Sequence, residues 1–207
     1  MKQPLFESSS LIKRGKNLIK IGAIHQFYEI SYTCSKKTTE KIGSFLFESF
    51  FEIKGNVNQK IFTAYKSTAR PDVMFILWED FPYFNHAELG SELVLQEIKN
   101  HGIKYLVIDN THVKSGWLTE RIDRYLDQIF YPGALELGLV GLSHIQAQST
   151  LGAKSFEQFG KDIQQYLEAK ASVLKRSSFK YIPVRSQEDD RPRQVVLKEA
   201  LVSLIGE

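Results

Sequence analysis

A single cysteine, Cys34, stands in the 207 residues, so the chain can form no internal disulfide and no thiolate metal cluster. That usage fits a reducing compartment, and a cytoplasmic location is the expectation. No apolar run is longer than about six residues, against the ~20 that a bilayer-spanning helix requires, so no transmembrane segment is expected. The opening MKQPLFESSSLIKRGKNLIKIG lacks the continuous apolar core and small-residue cleavage site of a secretory signal, and export is not expected. Charge of one sign is also scarce. The 27 Lys and Arg against 24 Asp and Glu leave a net +3, and no block of five or more like charges interrupts the mixture. Nucleic acid is therefore not an expected partner; Lys13, Arg14, Lys16 and Lys20 give only a dispersed basic patch. The glycines are too scattered for G-x-G-x-x-G, and no G-x-x-x-x-G-K-[ST] occurs, which disfavours a standard phosphate loop. His25, His86, His101, His112 and His144 show no i, i+4 pairing and no H-E-x-x-H. No metal and no cofactor are expected.

What is present is ample core material, 43% apolar with 12% aromatic residues, and an alternation of strand and helix signals. The short apolar stretches VMFILWEDF, KYLVIDN and LGLVGLSHI are separated by helical patterns. This predicts an α/β fold with a mainly parallel sheet and helices packed on it, the segments around residues 75, 106 and 141 lying side by side and pointing the same way so that their exits share one rim. Helices are predicted over Asn85–Asn100, with Leu89, Leu93, Val94 and Ile98 inward, and over Trp117–Phe130, ended or kinked at Pro132-Gly133. Another carries Phe156, Phe159, Ile163, Tyr166 and Leu167, and after a strand over Phe179–Val184 a closing helix spans Gln194–Ile205.

Upstream, residues 1–17 read as a loose arm and Leu18–Thr33 as a strand or hairpin. A helix is predicted after SKKTTE, since Ile42, Phe45, Leu46, Phe50 and Ile53 recur at spacings of three and four. The extended piece KIFTAYKST then leads into the Ala69–Asp72 turn. The boundary drawn there separates an N-terminal β-α-β extension or small subdomain, residues 1–70, from an α/β domain, residues 71–207. Phenylalanines 45, 47, 50 and 51 on more than one helix face imply a sandwiched helix or a subunit contact, and a homodimer is plausible.

The segment Asp109-Asn110-Thr111-His112 follows a central strand, where such sheets present functional groups. Asp109 has the chemistry of a base, a metal ligand or an acceptor, and His112 that of a group titrating near neutrality. The competing reading is a capped turn, in which Asp109 and Asn110 accept backbone N–H bonds. Ser143 and His144, at the next strand exit, would complete the residue types of a hydrolytic triad, but GLSHI lacks the second glycine of a nucleophile elbow. Trp78, Phe81, Tyr83 and Phe84 are candidates for a ligand wall, with core packing as the alternative.

ILWEDF, KYLVIDNTHVKSGW and YPGALELGLVGL, with Trp78, Asp109, Trp117, Pro132 and Gly138 in matching order, resemble the small bacterial STAS-like proteins related to anti-sigma-factor antagonists, in particular the SpoIIAA-like or STAS/SEC14-like branch. The resemblance covers roughly residues 72–207. It implies a STAS-like sheet and a regulatory, non-enzymatic role in docking a protein partner through the 109–117 connection, with Asp109, Asn110, Thr111, His112, Ser115 and Trp117 as contacts. Phosphorylatable antagonists carry an Asp-Ser-Ser-Gly-like sequence there; this chain keeps only Ser115-Gly116, which makes Ser115 the position for a phosphoacceptor. Phosphate would add about −1.5 to −2 charges at a helix start. Capping that helix is the plainer role of Ser115. The order of elements in the first ~70 residues is also similar, in topology alone, to ferredoxin-like αβ sandwiches. The second functional expectation is a small-molecule or lipid binder, or an enzyme, at the same sheet edge. Its pocket would be walled by Trp78, Phe81 and Trp117, with Asp109 and His112 as polar groups and a cavity of roughly a few hundred Å³.

Overall fold

The computed structural model describes residues 38–55, 59–80, 82–114, 120–146, 156–174, 179–185 and 191–206. The N-terminal arm, the Leu18–Thr33 segment and the basic residues Lys13, Arg14, Lys16 and Lys20 lie outside them. Among the described residues four strands come first: β1 (Thr39–Ile42), β2 (Phe45–Lys54), β3 (Lys60–Ser67) and β4 (Val73–Asp80). Helices and strands then alternate: α1 (Phe84–His101), β5 (Tyr105–Val113), α2 (Glu120–Tyr125), α3 (Tyr131–Leu137), β6 (Gly141–Gln146), α4 (Phe156–Val173), β7 (Lys180–Arg185) and α5 (Arg193–Ile205). The seven strands among the described residues form one sheet in chain order. β1 to β4 are an antiparallel meander, and β4 to β7 are parallel. The fold is thus α/β with a mixed sheet, parallel only in its second half. The sheet runs unbroken across the Ala69–Asp72 turn, because β3 pairs with β4.

The helix predicted over residues 42–53 is a correction: the segment is the β1–β2 hairpin, turned at Gly43-Ser44 with Gly43 at φ 60°. The misleading spacing has a physical cause. A bulge between Ser49 and Phe51 shifts the strand's alternation by one residue. Phe45 and Phe47 therefore face one side of the sheet, whereas Phe51 and Ile53 face the other. Two strand phases joined at a bulge imitate a helical stripe, and the same phase change accounts for phenylalanines on both faces. With no helix between these strands, the β-α-β order expected here, and with it the ferredoxin-like comparison, does not hold for residues 39–67.

The strands β4 to β7 advance in one direction, so right-handed crossovers put their connecting helices on a single face. There α1 to α4 bury Val94, Ile98, Ile122, Leu135, Ile163 and Leu167 against Ile76, Leu106, Ile108 and Leu142. The final helix α5 makes no crossover and covers the opposite face, packing Val196, Leu197, Leu201 and Leu204 against Phe75, Val107 and Ile145. It also reaches Ile42 and Phe45, because the sheet curls until its first strand meets its last helix. The helix expected to end or kink at Pro132 kinks: a π-helical turn, Leu126–Phe130, precedes Pro132 and the helix resumes as α3. The wider turn accommodates a residue that lacks an N–H and crowds the carbonyl four residues back. No helix among the described residues is long and apolar enough to cross a membrane.

Candidate functional site

The parallel strands end together at Asp80, Val113, Gln146 and Arg185, the edge at which such sheets gather ligand groups. Residue 81 and the segments 115–119, 147–155 and 186–190 that follow them lie outside the described residues. Phe81, Ser115 and Trp117 fall there. The site is therefore built from strand ends and helices.

Alternation divides the residues of β5. Leu106, Ile108 and Asn110 face the α1–α4 layer, while Val107 and Asp109 face α5. Asp109 is fully buried. Its Oδ1 accepts from the Thr111 backbone N–H at 2.9 Å and from the Thr111 hydroxyl at 2.7 Å. Its Oδ2 accepts from Arg193 Nε at 2.7 Å. Asp109 thus accepts the backbone N–H that the capped-turn reading gave it, with a distant guanidinium added. It does so inside β5, which runs on to Val113 instead of ending at Asp109, and Asn110 Oδ1 accepts no such bond among the described residues. Arg193 also donates from NH1 to Glu40 Oε1 at 2.5 Å. Burial alone would lower the Arg193 pKa, but the carboxylates of Asp109 and Glu40 outweigh it and hold the guanidinium above its ordinary value.

Opposite Leu77 stands Asp109, but opposite Glu79 stands His112, so β5 carries an extra residue between them. This bulge turns Thr111 to a half-buried position and His112 to an exposed one, and returns Val113 to the core. Of the contact residues expected in β5, Thr111 and His112 reach the surface, whereas Asp109 and Asn110 are internal. Glu79 has its carboxyl pKa raised by burial, with Lys60, His112 and Arg193 pulling the other way.

On β6 the triad residue types part company. The Ser143 hydroxyl donates to the Ile182 carbonyl at 2.8 Å, and Asp109 lies on the α5 side. His144 projects into the opposite layer, where its Nδ1 lies 3.2 Å from the Tyr181 hydroxyl and its Nε2 lies 3.5 Å from the Tyr131 hydroxyl. A neutral imidazole accepts at one nitrogen and donates from the other, so it suits two hydroxyls. Burial pushes the His144 pKa down to about 3 and keeps both tyrosines protonated. Among the described residues the other histidines are dispersed: Nδ1 of His86 accepts the Tyr83 N–H at the start of α1, and His101 pairs with Glu97.

Beside His144, between the ends of β4–β6 and the helices, lies a cavity whose polar lining is Asn110, Ser91, His144, Gln146 and Tyr131. Trp78 and Phe130 form its aromatic wall, and Gly90 lets α1 approach closely: a Cβ there would lie 2.7 Å from Trp78 Cη2. Asn110 is 2% exposed, and its Oδ1 has no hydrogen-bond partner among the described residues. About 30 Å³ of the cavity admits the centre of a water molecule, room for one or two waters or a few ligand atoms. That falls far short of the few hundred Å³ expected for an engulfed ligand. Trp78 is both things the sequence allowed, a core residue against Phe62 at 4.5 Å between ring centroids and a wall of this cavity.

Sequence reasoning did not find Asn110's surroundings or Arg193. For the first a signal existed: Asn110 shares its parity with Leu106 and Ile108, and His144 and Gln146 share theirs with Leu142, which places all three on one face of adjacent parallel strands. For Arg193, 84 residues from Asp109 in the chain, no local pattern points to the contact. No family model, no curated protein and no solved structure matches this chain.

Proposed function

We propose that this chain is a STAS-like ligand-binding regulatory protein, working in the cytoplasm, that holds the head of a small molecule in the cavity at the ends of β4–β6. The observation that carries this reading is Asn110. A buried amide oxygen left without a partner costs about 1–3 kcal/mol, and of the buried side-chain atoms without a hydrogen bond among the described residues, Asn110 Oδ1 is the one whose residue lines the cavity. Its position at the carboxyl ends of parallel strands, with Trp78 beside it, is where α/β sheets receive ligands. The small volume corrects the expectation of a pocket of a few hundred Å³ and limits what enters to a head group of a few heavy atoms.

The deciding experiment is a crystal structure of the full chain soaked with a mixture of small polar fragments. Fragment density within hydrogen-bond distance of Asn110 Oδ1 is the expected result. A protein side chain filling the space and bonded to that oxygen would overturn the reading.

A second reading, docking of a protein partner at the same rim, is favoured by the bulge that turns Thr111 and His112 outward beside the Lys114–Asp80 ion pair. Changing Thr111 to Asp and His112 to Ala should then release whichever proteins co-purify with the wild-type chain. An unaltered set of co-purifying proteins would argue against it.

A further inference from the structure

We infer that the ligand head taken by this cavity is uncharged and carries an N–H or O–H group that donates to Asn110 Oδ1, with its apolar part against Trp78. The inference rests on the cavity being the binding site and adds the chemical class of what enters. Three features lead to it. An amide oxygen can only accept, so its unmet need is a donor on the ligand. Among the described residues no Asp, Glu, Lys or Arg lines the cavity, so a charged head would lose its hydration with no opposite charge from them to replace it. The one ionisable base present, His144, is already engaged by the Tyr131 and Tyr181 hydroxyls and is held neutral by burial.

Size narrows the class further. The space between the sheet and α1 is limited by Gly90, whose missing side chain leaves Trp78 and Phe62 within 3.1 Å of where a Cβ would stand. Only a head of a few heavy atoms fits, on the scale of a primary amide or a hydroxymethyl group.

The test uses three probes of nearly the same shape, each with four heavy atoms: acetamide, which donates and is neutral; acetone, which is neutral and cannot donate; and acetate, which is charged. Each is titrated into the isotopically labelled full chain while the Asn110 side-chain amide and Trp78 indole signals are followed. Acetamide should shift both signals saturably, with a Kd at least about tenfold below those of acetone and acetate, the margin expected when one buried hydrogen bond is left unmade. If acetone binds as tightly as acetamide, the donor requirement falls; if acetate does, the requirement for neutrality falls. In both cases the cavity remains a ligand site. Absence of saturable shifts with all three probes would remove the ligand-site reading itself.

Discussion

His144 shows how much one side chain's surroundings determine. Folded, its imidazole takes a proton only near pH 3; unfolded, it does so near its ordinary 6.5. Between those values the unfolded chain binds the extra proton, so stability is complete above about pH 6.5 and is lost as pH falls through the window toward 3. The loss attributable to this residue is on the order of a few kcal/mol. His86, whose pKa is also lowered by burial, contributes to the same slope. Denaturant titrations at several pH values should show a steep acid-side decline in the wild type and a distinctly shallower one in His144→Phe. Equal slopes would mean that His144 is not held neutral in the fold. Asn110 stands two residues beyond Ile108, and so on the same face of its strand, and it remains neutral at every pH; its consequence is the unmet acceptor, not a titration.

Among the elements, α1 carries the tightest constraint. A glycine in the middle of a helix costs roughly 0.5–1 kcal/mol relative to alanine, yet Gly90 sits there because the helix crosses Trp78 and Phe62 at close range. Gly90→Ala should therefore destabilise the protein, as overpacking of about 1–3 kcal/mol outweighs the gain in helix propensity. It should also change the Trp78 environment seen by fluorescence. A higher Tm for the alanine variant would show that the indole can move aside freely. Most elements were legible in the chain because their periods are local: the stripe of α1, the uniform apolar run of β4 and the inward Leu197, Leu201 and Leu204 of α5 all appear as the pattern predicts. β2 was not legible. Its bulge joins two alternating halves out of phase, and nothing in FLFESFFEIK distinguishes that from a helical face.

At the scale of the whole molecule, one residue of α5 ties that helix to β1 and β5. Arg193 bonds to Asp109 in the central strand and to Glu40 in the first, and it lies over the Phe75 ring at 5.6 Å. Replacing it with alanine leaves Asp109 buried with Thr111 as its one remaining partner among the described residues. The expected loss is about 2–4 kcal/mol, somewhat below that for a fully enclosed pair because the guanidinium is a quarter exposed. Equilibrium unfolding should show a lowered midpoint with an unchanged slope, and adding Asp109→Asn should recover part of the loss. A midpoint shift below about 0.5 kcal/mol would show the pair to be dispensable.

From Val73 onward, the strand and helix order, the parallel pairing of β4, β5 and β6, and the alternation of faces along each strand up to its bulge follow from hydrophobic spacing along the chain, which is a property of neighbours. The bulge phases, the Asp109–Arg193 pair and the cavity around Asn110 arise where segments tens of residues apart meet. Their geometry depends on how the sheet curls and how closely α1 and α5 approach it, and no local period encodes either.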